Sequence, residues 1–126
     1  MLIVKLPEFL NELETTILKF LLREDTADNR VIAGQLASCS LDSRERNGYG
    51  IYTNFRVSES APKCLTRDFE RGDVSAIVGG QLCGFILFVR DGKVAFLEGF
   101  PLGGNEWPSS ETIEKVGRFH NVDSLD

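Results

Sequence analysis

The sequence predicts an α+β domain: an N-terminal helical hairpin packed on a curved antiparallel sheet of about five strands, a hairpin plus a three-stranded meander, with a short C-terminal helix. Three observations carry that expectation. Apolar residues recur at helical spacing over residues 7–22. Apolar and polar residues alternate over 50–57. Glycine-bearing turns at Gly79-Gly80 and Asp91-Gly92 separate three strand-like runs. With 126 residues, 42% apolar and 26% charged, the chain has the size and composition of one domain with a real core. Residues 1–126 are read as a single unit without repeats, linkers or low-complexity tracts.

The first helix is expected over 7–22, where Phe9, Leu10, Leu13, Ile17 and Leu21 form one stripe. Pro7 suits a first helical position, and Glu8 answers the positive end of the helix dipole. A polar turn follows. Thr26 or Asp28 then caps a shorter helix reaching about Leu36, with Val31, Ile32 and Leu36 inward. Gly34 weakens that helix by about 1 kcal/mol relative to alanine.

Strand character begins near Ala37. Asn47-Gly48 reads as a two-residue hairpin turn, because a type I′ turn needs positive φ at both central residues. It joins a polar arm, 37–46, to the alternating arm, where Ile51, Thr53, Phe55 and Val57 take one face and Tyr52, Asn54 and Arg56 the other. Residues 58–71 read as a connection with one helical turn near 65–69. The meander follows over 74–78, 82–90 and 93–100. Its middle strand is apolar on both faces, with Phe85, Leu87 and Val89 on one and Ile86 and Phe88 on the other. Such a strand belongs mid-sheet with both faces shielded. The helices cover one; the other needs a curl of the sheet, the C-terminal segment or another chain. If that strand is central, Phe88→Ala is expected to cost about 3–5 kcal/mol, and a loss below about 1 kcal/mol would place it at an edge. A loop holding Trp107 leads to a final helix expected over 111–119, on the spacing of Ile113, Val116 and Phe119. Residues 121–126 read as a frayed tail.

Several functions are argued against. Nineteen acidic and 14 basic residues give a net charge of -5, unfavourable for binding nucleic-acid phosphates. No apolar run approaches the ~18 residues that span a bilayer. The N-terminus lacks the basic stretch and small-residue cleavage site of a signal peptide, so a cytoplasmic location is expected. Three cysteines, Cys39, Cys64 and Cys83, with no Cys-x-x-Cys pair and a lone His120, make neither a disulfide framework nor a zinc site. No metal or cofactor is expected, and Cys39 and Cys83 read as small buried hydrophobes.

Motifs that invite chemistry resolve into turns. Gly48-Tyr49-Gly50 opens a strand, whereas a phosphate loop leads into a helix N-terminus. Arg71-Gly72-Asp73 spells an adhesion tripeptide but reads as the entry to a strand. There is no Gly-x-Ser-x-Gly elbow, and pairing His120 with Cys64 or Cys39 is disfavoured by its place near the chain's end. Carboxylates remain. Asp68, Glu70 and Asp73 cluster before the meander, and Glu98 sits in an otherwise apolar strand. Facing a cleft, Glu98 serves as an acid or base; facing a neighbouring strand, it pairs with Arg56 or Arg90. If the sheet curls, Tyr52, Arg56, Glu98 and Trp107 line its mouth and are the candidate binding residues. Ile86 and Phe88 are the interface candidates, and no residue is assigned a catalytic role.

The runs Gly48-Tyr49-Gly50-Ile51-Tyr52-Thr53-Asn54-Phe55, Gly72-Asp73-Val74, Gly84-Phe85-Ile86-Leu87-Phe88-Val89-Arg90-Asp91-Gly92, Leu97-Glu98-Gly99-Phe100 and Trp107-Pro108 resemble a group of small uncharacterised bacterial α+β proteins, some of which look like immunity or partner-binding modules. The resemblance spans roughly 48–108 and rests on turn glycines and strand hydrophobes. It implies the architecture and brings no reaction with it. The chain is therefore read as a non-catalytic protein-binding or self-associating module, with a protein partner or a homodimer and without nucleic acid or membrane. Its acidic surface speeds association with basic partners. The alternative reading is a small-molecule-binding protein or enzyme with its cleft around Glu98, Tyr52, Arg56 and Trp107.

Overall fold

The computed structural model describes residues 2–119. Two helices, α1 (Glu12–Leu21) and α2 (Ala27–Ser38), precede seven strands: β1 (Ser40–Arg46), β2 (Ile51–Arg56), β3 (Phe69–Arg71), β4 (Ser75–Val78), β5 (Gln81–Arg90), β6 (Lys93–Pro101) and β7 (Ile113–Gly117). The spatial order is β1-β2-β6-β5-β4-β7, and β3 pairs with β5 on the edge it shares with β4. Every pairing is antiparallel. The α+β class and the meander are as expected. The sheet has seven strands instead of five, and the expected final helix is a strand.

That last difference has a local cause. Ala76 pairs with Val116 and Val78 with Ile113, which leaves Glu114 as an extra residue in β7. The bulge turns Ile113 and Val116 toward the same side, where both pack on the core. An apolar spacing of three, taken as helical, is here a strand with one bulge.

The extra strand β3 has a similar origin. Arg71 pairs with Leu87 and Ser75 with Gly84, so residues 72–74 oppose only two residues of β5. β3 and β4 thus behave as one strand broken at Gly72, and a three-residue piece is too short to display alternation in the sequence.

Helix α1 begins later than its apolar stripe suggests. Asn11 Oδ1 accepts from the Glu14 N–H at 2.8 Å, and Glu14 Oε1 accepts from the Asn11 N–H at 2.9 Å. This reciprocal cap satisfies two orphan donors, whereas Pro7 merely tolerates a helix start. Pro7 instead opens a turn closed by Leu10. Helix α2 is capped by Thr26, whose Oγ1 accepts from the Asn29 N–H at 3.1 Å.

The hairpins also redistribute the expected turn chemistry. Gly79-Gly80 (φ 54° and 81°) and Asp91-Gly92 (φ 53° and 73°) form two-residue loops with positive φ throughout. Asn47-Gly48 does not. Arg46 pairs with Ile51, leaving four residues in that loop, and only Gly48 takes a positive φ, 85°.

Both helices lie on one side of the sheet. Cys83, Phe85, Leu87 and Val89 of β5 point toward them and are no more than 1% exposed. They pack with Leu13, Ile17 and Leu18 of α1, Ile32 and Leu36 of α2, and Ile51, Phe55 and Leu97 of the neighbouring strands. The sheet curls around α1. Glu14 of α1 bonds to Arg44 of β1 and Thr53 of β2, and α1 also touches β7 at the other edge. Arg46, ending β1, makes paired bonds at 2.8 and 2.9 Å to Glu111, two residues before β7. The face turned away from the helices is consequently convex.

Candidate functional site

Alternation along β5 sends Leu82, Ile86 and Phe88 to that convex face. There they join Ile77 of β4, Phe96 and Phe100 of β6 and Tyr52 of β2, every one of them partly buried. The side chains cover one another. Phe88 stacks on Phe96 with ring centroids 4.4 Å apart and planes 20° apart, and Tyr52 tilts against Phe96 at 6.1 Å. The Arg90 guanidinium lies 5.2 Å over the Phe88 ring. Phe100 packs across Gly84, where a Cβ would stand 2.8 Å from its ring.

Glu98 stands in the middle of this surface. It is paired in register with Ile86 on one side and Tyr52 on the other. The Tyr52 hydroxyl donates to Glu98 Oε2 at 3.0 Å, and that bond raises the phenol's pKa. Arg56 and Arg90 take other partners: Arg56 pairs with Asp42 at the sheet margin, and Arg90 approaches Glu70 at 3.6 Å. Trp107 is on the opposite side. Its ring meets inner-face Phe85 edge-on at 6.1 Å, and its Nε1–H donates to Glu111. Of the four candidate binding residues, the structure joins Tyr52 to Glu98, sets Arg56 further along the same face and puts Trp107 in the core wall. Ile86 and Phe88 share the outer face.

Among the buried polar side chains, the three on the helices escaped the sequence reading. The Glu14 carboxylate, with a side chain 1% exposed, accepts from Arg44 Nε at 2.9 Å, Arg44 Nη2 at 2.8 Å and Thr53 Oγ1 at 2.5 Å. Burial pushes its pKa up, but the hydrogen bonds from Arg44, Thr53 and Asn11 together outweigh burial and hold it below the ordinary carboxylate value. Gln35 donates to the Pro62 and Gly92 carbonyls, both at 2.9 Å, and accepts from the Val94 N–H at 2.8 Å. Asn29 donates to the Glu24 carbonyl, while its Oδ1 has no partner among the described residues. Glu14 and Gln35 clamp the two helices to the sheet. Only the Asn11-x-x-Glu14 spacing announced any of this in the sequence.

The thiols are quiet. Burial pushes Cys39 and Cys83 up to about 11 and raises Cys64 as well. His120 and residues 121–126 lie outside the described residues. Among the described residues, no three His, Cys, Asp or Glu side chains converge as metal ligands do, and no helix is long and apolar enough to cross a membrane. A groove of about 560 Å³ runs between α2 and residues 58–62, bordered by Val31, Gly34, Ala61 and Pro62. A polar cleft of about 290 Å³ lies between the α1–α2 turn and the β3–β4 break, with Arg23, Arg71 and Arg118 facing Glu70 and Asp73. Neither is lined by Tyr52, Arg56, Glu98 or Trp107. Compared with protein-family models, curated proteins and solved structures, the chain matches none.

Proposed function

We propose that this chain is a non-catalytic docking module that receives another protein on its outer sheet face. The observation that carries the reading is the central strand. Both sides of β5 are apolar, and the helices seal only the side bearing Phe85 and Leu87. Removing apolar area from water is worth about 25 cal/mol per Å², so Ile86, Phe88, Phe96 and Phe100 favour a cover. The stacked Phe88–Phe96 pair has the character of an aromatic binding anchor. Glu98 narrows the kind of partner. A surface that covers this carboxylate must offer it a cation or a further donor, since an unpaired buried charge costs several kcal/mol. The net charge of -5 steers basic surfaces toward the chain.

Site-directed photocrosslinking in cells tests it. A photoreactive phenylalanine analogue at Phe88 should trap a discrete protein adduct, while the same group at Leu65, 98% exposed in the β2–β3 connection, should not. Adducts from Leu65 alone, or from neither position, would contradict the proposal.

A further inference from the structure

We infer that the polar cleft between the α1–α2 turn and the β3–β4 break binds a free α-amino acid, taking its carboxylate on Arg23 and Arg71 and its ammonium on Asn29. Tyr52, Glu98, Ile86 and Phe88 do not line this cleft, so its ligand is independent of docking on the outer face. The lining holds three arginines, Arg23, Arg71 and Arg118, and three acidic residues, Glu24, Glu70 and Asp73. The Arg71-Gly72-Asp73 triplet thus belongs to a cleft wall.

Two of the guanidiniums are braced yet keep unused donors. Arg23 lies 4.0 Å over the Phe20 ring and donates from Nη1 to the Phe20 carbonyl at 2.7 Å, the one hydrogen bond its guanidinium makes among the described residues. Arg71 sits 5.5 Å over the Phe69 ring. Its nearest acid, Asp28, is 3.8 Å away, beyond hydrogen-bond reach. The Arg71 side chain is only 30% exposed, and its guanidinium makes no hydrogen bond among the described residues. Arg118 is committed by contrast, since its Nε donates to Asp73 at 2.8 Å. A planar carboxylate matches the guanidinium fork and takes two parallel N–H bonds from it. Side chains already held against aromatic rings lose little freedom when they do so.

Asn29 sets the other end of the ligand. It is 2% exposed, its Nδ2 donates to the Glu24 carbonyl at 2.9 Å, and its Oδ1 has no partner among the described residues. With Nδ2 engaged, the orphan is an acceptor, and acceptors so buried are ordinarily paired. A ligand that satisfies it must carry an N–H or O–H, and the negative charge of Glu24 in the same wall favours an ammonium. The oxygen is covered, so seating the ligand moves the wall slightly, and the Asn29 amide reports that movement. An anionic fork and a cationic donor on one small molecule describe an α-amino acid. Related chemistries fit less well. A phosphate dianion meets three acidic residues, and an amine without a carboxylate leaves Arg71 unanswered. A cleft of about 290 Å³ suits a ligand of this small size.

Titration of the isotope-labelled full chain, followed by amide correlation spectra, decides the matter. The standard L-α-amino acids are added one at a time. At least one should shift the Asn29, Arg71 and Gly72 amides saturably, with a dissociation constant below about 1 mM. Its deaminated acid and its carboxamide should each bind at least about tenfold more weakly, because each leaves one end of the cleft unpaired. Arg71→Gln should weaken binding by about tenfold as well. Arg30→Gln, on α2 and outside the cleft, should stay within about twofold of wild type. No saturation by any amino acid up to about 10 mM would overturn the inference. So would inorganic phosphate or the deaminated acid binding as tightly as the best amino acid, or a folded Arg71→Gln variant that binds like wild type. The two analogues decide the case even if that variant fails to fold.

Discussion

The two faces of β5 differ in cover far more than in composition. Cys83, Phe85, Leu87 and Val89 are sealed to 1% exposure or less, whereas Ile86 and Phe88, one residue away in each case, keep part of their surface in water. Helices account for the first condition, with α1 lying in the trough of the curled sheet and α2 held over the β5–β6 hairpin by Gln35. The second condition comes from side chains of the sheet covering each other. An apolar face in a strand thus shows that cover is favourable without saying what supplies it.

Substitutions on the two faces should separate them by size of effect. Phe85→Ala empties a site 1% exposed and touched by Trp107, and should cost about 3–5 kcal/mol in a denaturant titration. Arg44→Ala ranks next, at about 3 kcal/mol, because it strands the buried Glu14 carboxylate. Its pH dependence carries a sign. In the native chain the folded pKa of Glu14 is depressed, so its stabilisation is complete above the unfolded value of about 4.3 and is lost as pH falls through the folded value. Without Arg44, burial is opposed by less and the carboxyl moves up. The variant should therefore lose least at acidic pH and most at neutral pH, as urea midpoints between pH 3 and 7 will report.

Phe88→Ala is the smallest of the three. β5 is central, but the partial exposure of Phe88 lowers the about 3–5 kcal/mol expected for a central strand to about 1–2 kcal/mol in dilute protein, mostly lost stacking on Phe96. A cost equal to that of Phe85→Ala in dilute solution would erase the distinction between the faces.

Much of the architecture was legible because local chemistry and tertiary structure agree. The Thr26 cap, the turns at Gly79-Gly80 and Asp91-Gly92 and the doubly apolar β5 stand as local rules place them, and the apolar stripe holds for α1 from Leu13 onward. The failures share a cause. A bulge at Glu114 converts strand alternation into a spacing of three, and a break at Gly72 cuts β3 down to Phe69–Arg71, below the length at which alternation is visible. The candidate site was less legible, because side-chain neighbours across a sheet depend on register. Tyr52 and Glu98 meet through the β2–β6 pairing, 46 positions apart, while Trp107 is carried inside by a loop whose path no local pattern dictates. Glu14 and Arg44, 30 positions apart, are beyond local rules for the same reason.

Hydroxyl-radical footprinting addresses the outer face most directly, comparing purified protein at high dilution with the same chain inside cells. Oxidation of Phe88 and Phe96 should fall several-fold in cells, while Tyr49, 76% exposed at the tip of the β1–β2 loop, should react equally in both. Equal oxidation of Phe88 and Phe96 in the two settings would mean that nothing docks on this face.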